Sequence, residues 1–450
     1  MARCTYKRRR SIVILLKNFK NIFLIPELLK KLMFTLGVII VFRIGSFIPV
    51  VGINVPVLAD YMNKAGGAGG LLGYLDVISG GSLYRSTLFA LGISPYISSS
   101  IIMQLMSMTV PYFERLIKEG DYGYKVLNQY TRYLTFALSV MYSMTYATFL
   151  ERSGLVLEPG FSFKIIFVMS LTLGSMFVMW LGEQISLMGI GNGSSMLIFA
   201  GIAARFPDYF IKTIYSVQTG SLHIFMAFFI LLFFVAITGC IVFLEKGDRK
   251  IPVQYARRVV GRKVYGGQSS YIPFKINTAG VMPVIFASSI INIPMFALQM
   301  LSARWDWAKS LVDHFSYTGF LFNVLQFGLI VFFTFFYTEL VYNPDKLSDQ
   351  MKKNGGFIPG IRPGKNTADY FYYILTRVGL VGALYLGCLA VLPNLLLVLV
   401  PTMPFYLSGT SILIAVGVVL EFASQIESYL IERRYEGFLS TGRMKTRTAS

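Results

Sequence analysis

The chain has 450 residues, of which 55% are hydrophobic and only 14% are charged. Soluble proteins carry about 25% charged residues, so this composition excludes an ordinary soluble protein and indicates a membrane protein. The 41 Lys and Arg residues outnumber the 22 Asp and Glu residues, and the net charge is +19.

The chain begins with a basic segment, residues 1–28. It contains RCTYKRRR and then an apolar run that lysines interrupt. A cleaved signal peptide has a continuous apolar core followed by a small-residue cleavage site. We therefore expect this segment to be a cytoplasmic part of the mature protein.

Apolar segments recur from there to the end of the chain. A hydrocarbon core of about 30 Å takes about 20 helical residues. We predict ten membrane-spanning helices, centred near residues 41, 97, 140, 172, 202, 234, 288, 330, 384 and 419. The fifth, SSMLIFAGIAARF, has the weakest signal. Residues 71–81, LLGYLDVISGG, are apolar but too short to span, which predicts a re-entrant or interfacial piece.

The second and seventh spans carry unusual polar residues. The second, LFALGISPYISSSIIMQLM, contains Pro95 and three consecutive serines, and the seventh, INTAGVMPVIFASSIINIP, contains Pro283 and two. A serine in a membrane helix can bond its own backbone during ordinary packing. A proline inside a helix frees a carbonyl and bends the helix. Together these features predict two bent helices that slide against each other.

Two long loops are basic. Residues 245–275 hold eight Lys and Arg residues against two acidic ones. Orientation by positive charge explains a generic basic loop, but the interleaved Val, Tyr and Ile residues predict a hairpin. The second loop, residues 343–370, contains GGFIPGIRPG. Its prolines and glycines predict a fixed turn with Arg362 at the tip.

Most Lys and Arg residues lie in the N-terminal segment, the even-numbered loops and the C-terminal tail, residues 434–450. By the positive-inside rule, both termini and the two basic loops are predicted to be cytoplasmic. The ten spans divide into halves at residues 29–222 and 223–433. Halves with an odd number of spans have opposite topology, as in proteins that open a path between inverted repeats. The predicted fold class is an all-α integral membrane protein of two inverted five-helix halves.

The spans lack the groups that membrane enzymes and ion-coupled carriers use. The acidic residues in or beside the spans lie near the predicted span ends, and they are Glu183, Glu245, Glu339 and Glu421. Ionisable groups at depth are costly and therefore informative. HExxH and paired intramembrane aspartates are absent, and three cysteines and two histidines show no metal spacing. We predict no enzyme activity, no cofactor and no metal.

Six long stretches of the sequence occur in order between residues 20 and 435: VFRIGSFIPVVGI, SGGSLYRSTLFALGISPYISSSIIMQL, MWLGEQISLMGIGNGSSMLIFAG, GVMPVIFASSII, FFYTELVYNP and GGFIPGIRPGKNTADY. They resemble the SecY family, the channel subunits of the bacterial Sec protein translocase. The resemblance implies two inverted halves around a central hourglass pore. It also implies a channel that passes unfolded secretory polypeptides across the cytoplasmic (inner) membrane and releases membrane segments sideways into lipid.

The resemblance further implies the residues of four sites. The pore ring corresponds to Ile93, Ile97, Ser194, Ile198, Ile285 and Ile414, with Ser194 departing from the usual aliphatic residue. The plug corresponds to Leu71, Leu72, Tyr74, Leu75, Asp76, Val77 and Ile78. Asp76 is unusual there, and we expect it to face a water-filled outer funnel. The lateral gate corresponds to spans two and seven, with Pro95, Ser98, Ser99, Gln104, Asn277, Pro283 and Ser288. The docking residues are Arg249, Lys250, Arg257, Arg258, Arg262, Lys263, Arg362 and Lys365.

The implied partners are the SecE and SecG subunits, the SecA motor ATPase, the ribosome, polypeptides that carry signal sequences, and the lipid bilayer, with no small-molecule substrate. Three other classes of protein are alternatives. A secondary transporter with inverted repeats would need a midplane carboxylate or a substrate-sized polar pocket. An intramembrane hydrolase would need His and Asp residues at depth. A scaffold would leave the two prolines and the Arg362 turn unexplained.

Overall fold

The computed structural model describes residues 25–58, 76, 79–255, 258–260, 263–265, 269–302, 305, 319–399 and 408–442. The helices of the N-terminal half are α1 (Pro26–Gly45), α2 (Ser94–Thr109), α3 (Pro111–Lys118), α4 (Asp121–Arg152), α5 (Phe161–Met188), α6 (Gly193–Ala203) and α7 (Phe206–Gln218). Those of the C-terminal half are α8 (Ile224–Glu245), α9 (Met282–Ser302), α10 (Phe320–Val341), α11 (Pro344–Lys353), α12 (Lys365–Leu399) and α13 (Gly409–Gly442). The strands are β1 (Asp248–Tyr255), β2 (Arg258–Val260), β3 (Lys263–Tyr265), β4 (Ser269–Lys275) and β5 (Gly356–Phe357).

The predicted helical membrane class is confirmed, and all ten predicted span centres fall inside helices. Among the described residues, five helices are long and apolar enough to cross a membrane, namely α5, α8, α10, α12 and α13. The count of ten spans therefore stays a prediction. The helix at the fifth span is short because α6 ends at Ala203 and Pro207 lies in the first turn of α7. Pro207 has no N–H group to donate to the carbonyl of Ala203, four residues before it, so one helix cannot continue through it with all its hydrogen bonds.

The expected proline bends in spans two and seven are wrong. Pro95 lies one residue after the start of α2, and Pro283 lies one residue after the start of α9. A proline in the first helical turn removes an N–H group that has no partner within the helix, so it begins a helix without bending it. The prolines inside helices are Pro294 in α9 and Pro393 in α12.

The predicted halves contact each other through two helices of the second half. Helix α9 packs against α2 and α4, α13 packs against α6, and α9 and α13 also pack against each other. Within the halves, the main packing pairs are α4 with α5 and α10 with α12. We call the α2–α9 contact the seam.

The two basic loops join in one sheet with strand order β4-β1-β5. The predicted hairpin in residues 245–275 is confirmed: β1 and β4 pair antiparallel, from Asp248 opposite Lys275 to Gln254 opposite Ser269. Strand β5 comes from the second loop and pairs with the other edge of β1. The joining of the two loops was not predicted, because β5 has only two residues.

Candidate functional site

Five of the six predicted ring residues are buried in the same large hydrophobic cluster. Ile93, Ile97, Ile198, Ile285 and Ile414 belong to one hydrophobic cluster, and none is more than 6% exposed. They come from α2, α6, α9 and α13 and from the residue that precedes α2, so both halves contribute. We call these five residues the waist. Their side chains carry no hydrogen-bonding group, so they contact their neighbours only through apolar packing.

The sixth residue, Ser194, has a different role in the fold. Its Oγ donates a hydrogen bond to Asn192 Oδ1 at 2.6 Å. Asn192 Oδ1 also accepts hydrogen bonds from the backbone N–H groups of Ser194 and Ser195, at 3.1 and 3.4 Å. Asn192 thus caps α6. Gly193 is required at this turn, because a Cβ there would overlap the carbonyl oxygen of Gly182 on α5. Ser194 lines a cavity next to the waist.

This cavity has a volume of about 340 Å³ and is lined by residues of α2, α4, α5, α6, α9 and α10. It lies on the sheet side of the waist, since its lining includes Met282 at the start of α9, seven residues after β4. Arg132 on α4 and Glu183 on α5 are the charged residues of the cavity lining, and they form a bidentate ion pair. Arg132 Nε lies 3.0 Å from Oε1 of Glu183, and Nη2 lies 2.7 Å from Oε2.

A side-chain hydrogen bond joins the two predicted halves beside the seam. The hydroxyl of Tyr337 on α10 donates to Gln104 Oε1 on α2 at 3.0 Å. The serines contribute differently from the prediction. Ser98 Oγ lies 3.5 Å from the Tyr142 hydroxyl on α4, and Ser99 Oγ donates to the carbonyl of Pro95 at 2.8 Å. These two serines serve packing inside the N-terminal half, whereas Gln104 lines the cavity at the seam.

The polar residues predicted in the seventh span also bond within their own half. Ser288 Oγ donates to the carbonyl of Ile285 at 2.8 Å. Asn277 precedes α9, and its Nδ2 donates to Glu245 Oε2 at 2.8 Å and to the carbonyl of Gly280 at 2.9 Å. Asn277 therefore ties the end of α8 to the turn before α9 and does not reach across the seam.

We predict that Tyr337→Phe loosens the seam. The change removes one hydrogen bond between the predicted halves, so the halves should separate at this contact about fivefold more often, the equivalent of about 1 kcal/mol. The rate of backbone hydrogen exchange at the end of α2 measures this. The control is Tyr385→Phe, which removes a hydroxyl that bonds the Cys240 carbonyl at 3.2 Å within the C-terminal half. Equal effects of the two variants would contradict the prediction.

Of the predicted plug residues, only Asp76 lies within the described part of the chain. The expectation that it faces a water-filled funnel is wrong. Asp76 is 2% exposed and forms an ion pair with Arg205, which follows α6. Asp76 Oδ1 also accepts a hydrogen bond from the backbone N–H of Tyr84 at 2.9 Å. A buried carboxylate is costly unless it is paired, and Arg205 supplies the partner.

A second arginine holds the residues that follow Asp76. Arg43 on α1 donates from Nη1 to the carbonyl of Gly80 at 2.9 Å. Gly80 and Gly81 have φ values of 71° and 91°, and a Cβ on Gly81 would lie 3.0 Å from the guanidinium of Arg205. Glycine is therefore needed for both the turn and the close approach of Arg205.

The positions of three residues in and just after α6 show where these sites lie relative to one another. Ser194 lines the cavity, Ile198 belongs to the waist, and Arg205 pairs with Asp76. Because a helix rises about 1.5 Å per residue, Arg205 lies roughly 10 Å beyond Ile198. The cavity and the Asp76–Arg205 pair thus lie on opposite sides of Ile198.

The sheet β4-β1-β5 packs with α11 and the start of α12, and we call this unit the docking body. Its core contains Val253, Phe274, Met351, Ile358 and Phe371, each 6% exposed or less. A shared core makes two loops that are about 90 residues apart in sequence move as one unit.

Of the predicted docking residues, Arg249, Lys250, Arg362 and Lys365 are exposed on this body. The carbonyls of Arg362 and Gly364 accept hydrogen bonds from Thr367 Oγ1 at 2.9 Å and from Ser348 Oγ at 2.8 Å. Arg258 and Lys263 belong to the β2–β3 hairpin, in which Arg258 pairs with Tyr265. Arg257 and Arg262 lie outside the described residues. Within the described part of the chain, no cluster of His, Cys, Asp and Glu residues could hold a metal ion.

Comparison with known proteins gives consistent results. The model of the SecY family matches residues 87–423. The Escherichia coli K12 protein named protein translocase subunit SecY is 43% identical over 425 residues, which cover 93% of this chain and 95% of that protein.

Two solved structures share the fold. One concerns the plug domain of SecY, described as stabilising the closed state and maintaining a membrane seal, with a TM-score of 0.63 and 17% identity over 89% of this chain and 92% of that one. The other is canine Sec61 in a ribosome–channel complex, with a TM-score of 0.59 and 17% identity over the same shares.

Proposed function

The chain belongs to the SecY family, and on that premise we propose how its own residues form the pore, the plug and the gate. The protein is a translocase subunit that forms a protein-conducting channel, and it is not an enzyme. The observation that carries the proposal is the waist, an aliphatic cluster to which both halves contribute. The cavity borders it on the sheet side, and the buried Asp76–Arg205 pair lies beyond Ile198 on the other.

The waist suits a passage for polypeptides of any sequence. Isoleucine side chains make no directional bonds, so they can close around different passing side chains while water stays excluded. When no polypeptide is present, the Asp76 segment covers the waist and keeps it sealed. Opening then requires the Asp76–Arg205 pair to separate.

The seam is the proposed sideways exit. The N-terminal half contacts α9 there, and it contacts α13 separately through α6. The chain itself links the halves between α7 and α8. If the α6–α13 side stays together, opening of the α2–α9 contact gives a membrane segment a path from the waist to lipid.

The proposed partners act at three surfaces. The exposed Arg249, Lys250, Arg362 and Lys365 give the docking body a positive face for the SecA motor or for the phosphate-rich ribosome. The SecE and SecG subunits would pack against the lipid-facing helices, of which α8 is the most apolar. We place the protein in the bacterial inner membrane with both termini in the cytoplasm, and this agrees with the basic charge of the even-numbered loops.

One observation favours the transporter alternative. The polar cavity with its Arg132–Glu183 pair is the kind of pocket that a carrier would need. Family membership favours the channel, in which the cavity is the vestibule of the passage.

Import of a signal-bearing preprotein into proteoliposomes tests the proposal. The vesicles would contain this chain and a SecE-type subunit, with SecA and ATP added. We expect ATP-dependent protection of the preprotein from protease, and none in vesicles that lack the chain. Absence of protection under all conditions, with uptake of a small solute instead, would favour the transporter.

A further inference from the structure

The Arg132–Glu183 ion pair has two unequal partners. The side chain of Arg132 is 49% exposed, whereas that of Glu183 is 19% exposed. Among the described residues that line the cavity, Glu183 supplies the one carboxylate. The negative group is therefore held in the wall of the cavity, and the positive group reaches it from the solvent side.

Another cation can replace Arg132 as the partner of Glu183. Half-exposed ion pairs contribute little to stability, because the charges regain hydration when they separate. Arg132 can turn into water at small cost, but Glu183 is more enclosed and needs a cation near it. A carboxylate also has about four lone-pair positions, and the two hydrogen bonds from Arg132 leave acceptor capacity for an arriving cation.

The cavity offers both polar and apolar surfaces. Asn128 and Ser186 line it near the ion pair, whereas Ile97, Ile285 and Phe286 line it at the waist and the seam, together with the polar Gln104 and Ser194. A signal sequence also combines the two chemistries, with a positively charged start followed by an apolar stretch of about 7–15 residues. The apolar stretch would lie at the seam while the charged start lies at Glu183.

We infer that Glu183 receives the basic start of a signal sequence and takes that cation in exchange for Arg132. This inference rests on the proposed function. It makes Glu183 a specificity-determining residue, which favours signals with a positive start and keeps that start on the sheet side of the waist.

The experiment measures import into proteoliposomes for three preproteins that differ only in the charge at the start of the signal, with two, one or no Lys residues. Channels with Glu183→Gln, Arg132→Gln and no substitution are compared at equal amounts of folded protein. The matched control is Glu151→Gln, because Glu151 is paired with Lys164 at 2.7 Å near the other end of α4.

The unsubstituted channel should favour the two-Lys signal over the uncharged signal by about tenfold, the size of a charge-assisted interaction in a half-buried site. Glu183→Gln should reduce this preference to less than about twofold. Arg132→Gln should increase the preference, since it removes the competing cation. Glu151→Gln should leave it unchanged.

A purely structural role of the Arg132–Glu183 pair would give different import results. If the pair only held α4 and α5 together, both single variants would lower import of all three preproteins equally. That result, or a preference for charge that survives Glu183→Gln, would overturn the inference and leave the channel function standing. Failure of the unsubstituted channel to import any preprotein would instead refute the proposed function.

Discussion

Asp76→Asn is expected to make the resting channel leak ions. The change leaves Arg205 buried without its counter-charge, since the side chain of Arg205 is only 14% exposed. Loss of one partner of a buried pair costs about 3–5 kcal/mol. This cost falls when residue 76 moves away from Arg205, because the guanidinium then regains contact with water. Release of potassium from loaded proteoliposomes without a preprotein should therefore be at least about tenfold faster than with the native channel.

The matched control is Asp208→Asn. Asp208 lies 4.0 Å from the same arginine but is 51% exposed, so its loss should leave the leak near the native value. The double exchange of Asp76→Arg with Arg205→Asp should restore part of the seal, because the pair is rebuilt in reverse. An unchanged leak in Asp76→Asn would show that the buried pair does not hold the channel closed.

Arg362→Glu is expected to lower motor-driven import at least about tenfold, because a charge-assisted contact is replaced by a like-charge repulsion at an acidic partner. The turn that carries Arg362 is fixed by Thr367 and Ser348, so the charge is presented in one position. ATP-dependent protection of a preprotein measures the effect, and binding of SecA to the vesicles shows whether docking or a later step is lost.

Lys353→Glu gives the comparison for this variant. Lys353 is an exposed residue at the end of α11 in the same docking body. Lys353→Glu changes the net charge by the same amount as Arg362→Glu. A specific role for the turn requires that Lys353→Glu retain most of the activity. A similar loss in both variants would mean that the body attracts its partner only through overall positive charge.

Composition and apolar periodicity were sufficient to predict the helical class, because hydropathy depends only on local sequence. The hairpin at residues 245–275 was predicted for the same reason, since both of its strands lie in one loop. The error about Pro95 and Pro283 also has a local origin. A proline in an apolar run fits either a bend or a first turn, and only the turns that precede Ser94 show that α2 begins there.

The interactions that the sequence did not indicate are long-range. Arg205 lies 129 positions after Asp76, and no spacing rule connects them, so the carboxylate could be recognised as unusual but not assigned a partner. The pairing of Gln254 with Phe357 joins the two basic loops through a strand too short to have a periodicity. Glu183 was visible only as a charged residue near a predicted span end, and Arg132 had no signal of its own until the fold brought α4 and α5 together.

Photo-crosslinking of a stalled polypeptide tests the central claim most directly. A photoreactive residue would replace Ile198 in the waist or, as a control, Leu173, which is 63% exposed on α5, and the preprotein would be arrested during import. The account predicts crosslinks from position 198 to the translocating segment that depend on ATP, and none from position 173. Crosslinks at position 173 without any at position 198 would contradict passage through the waist.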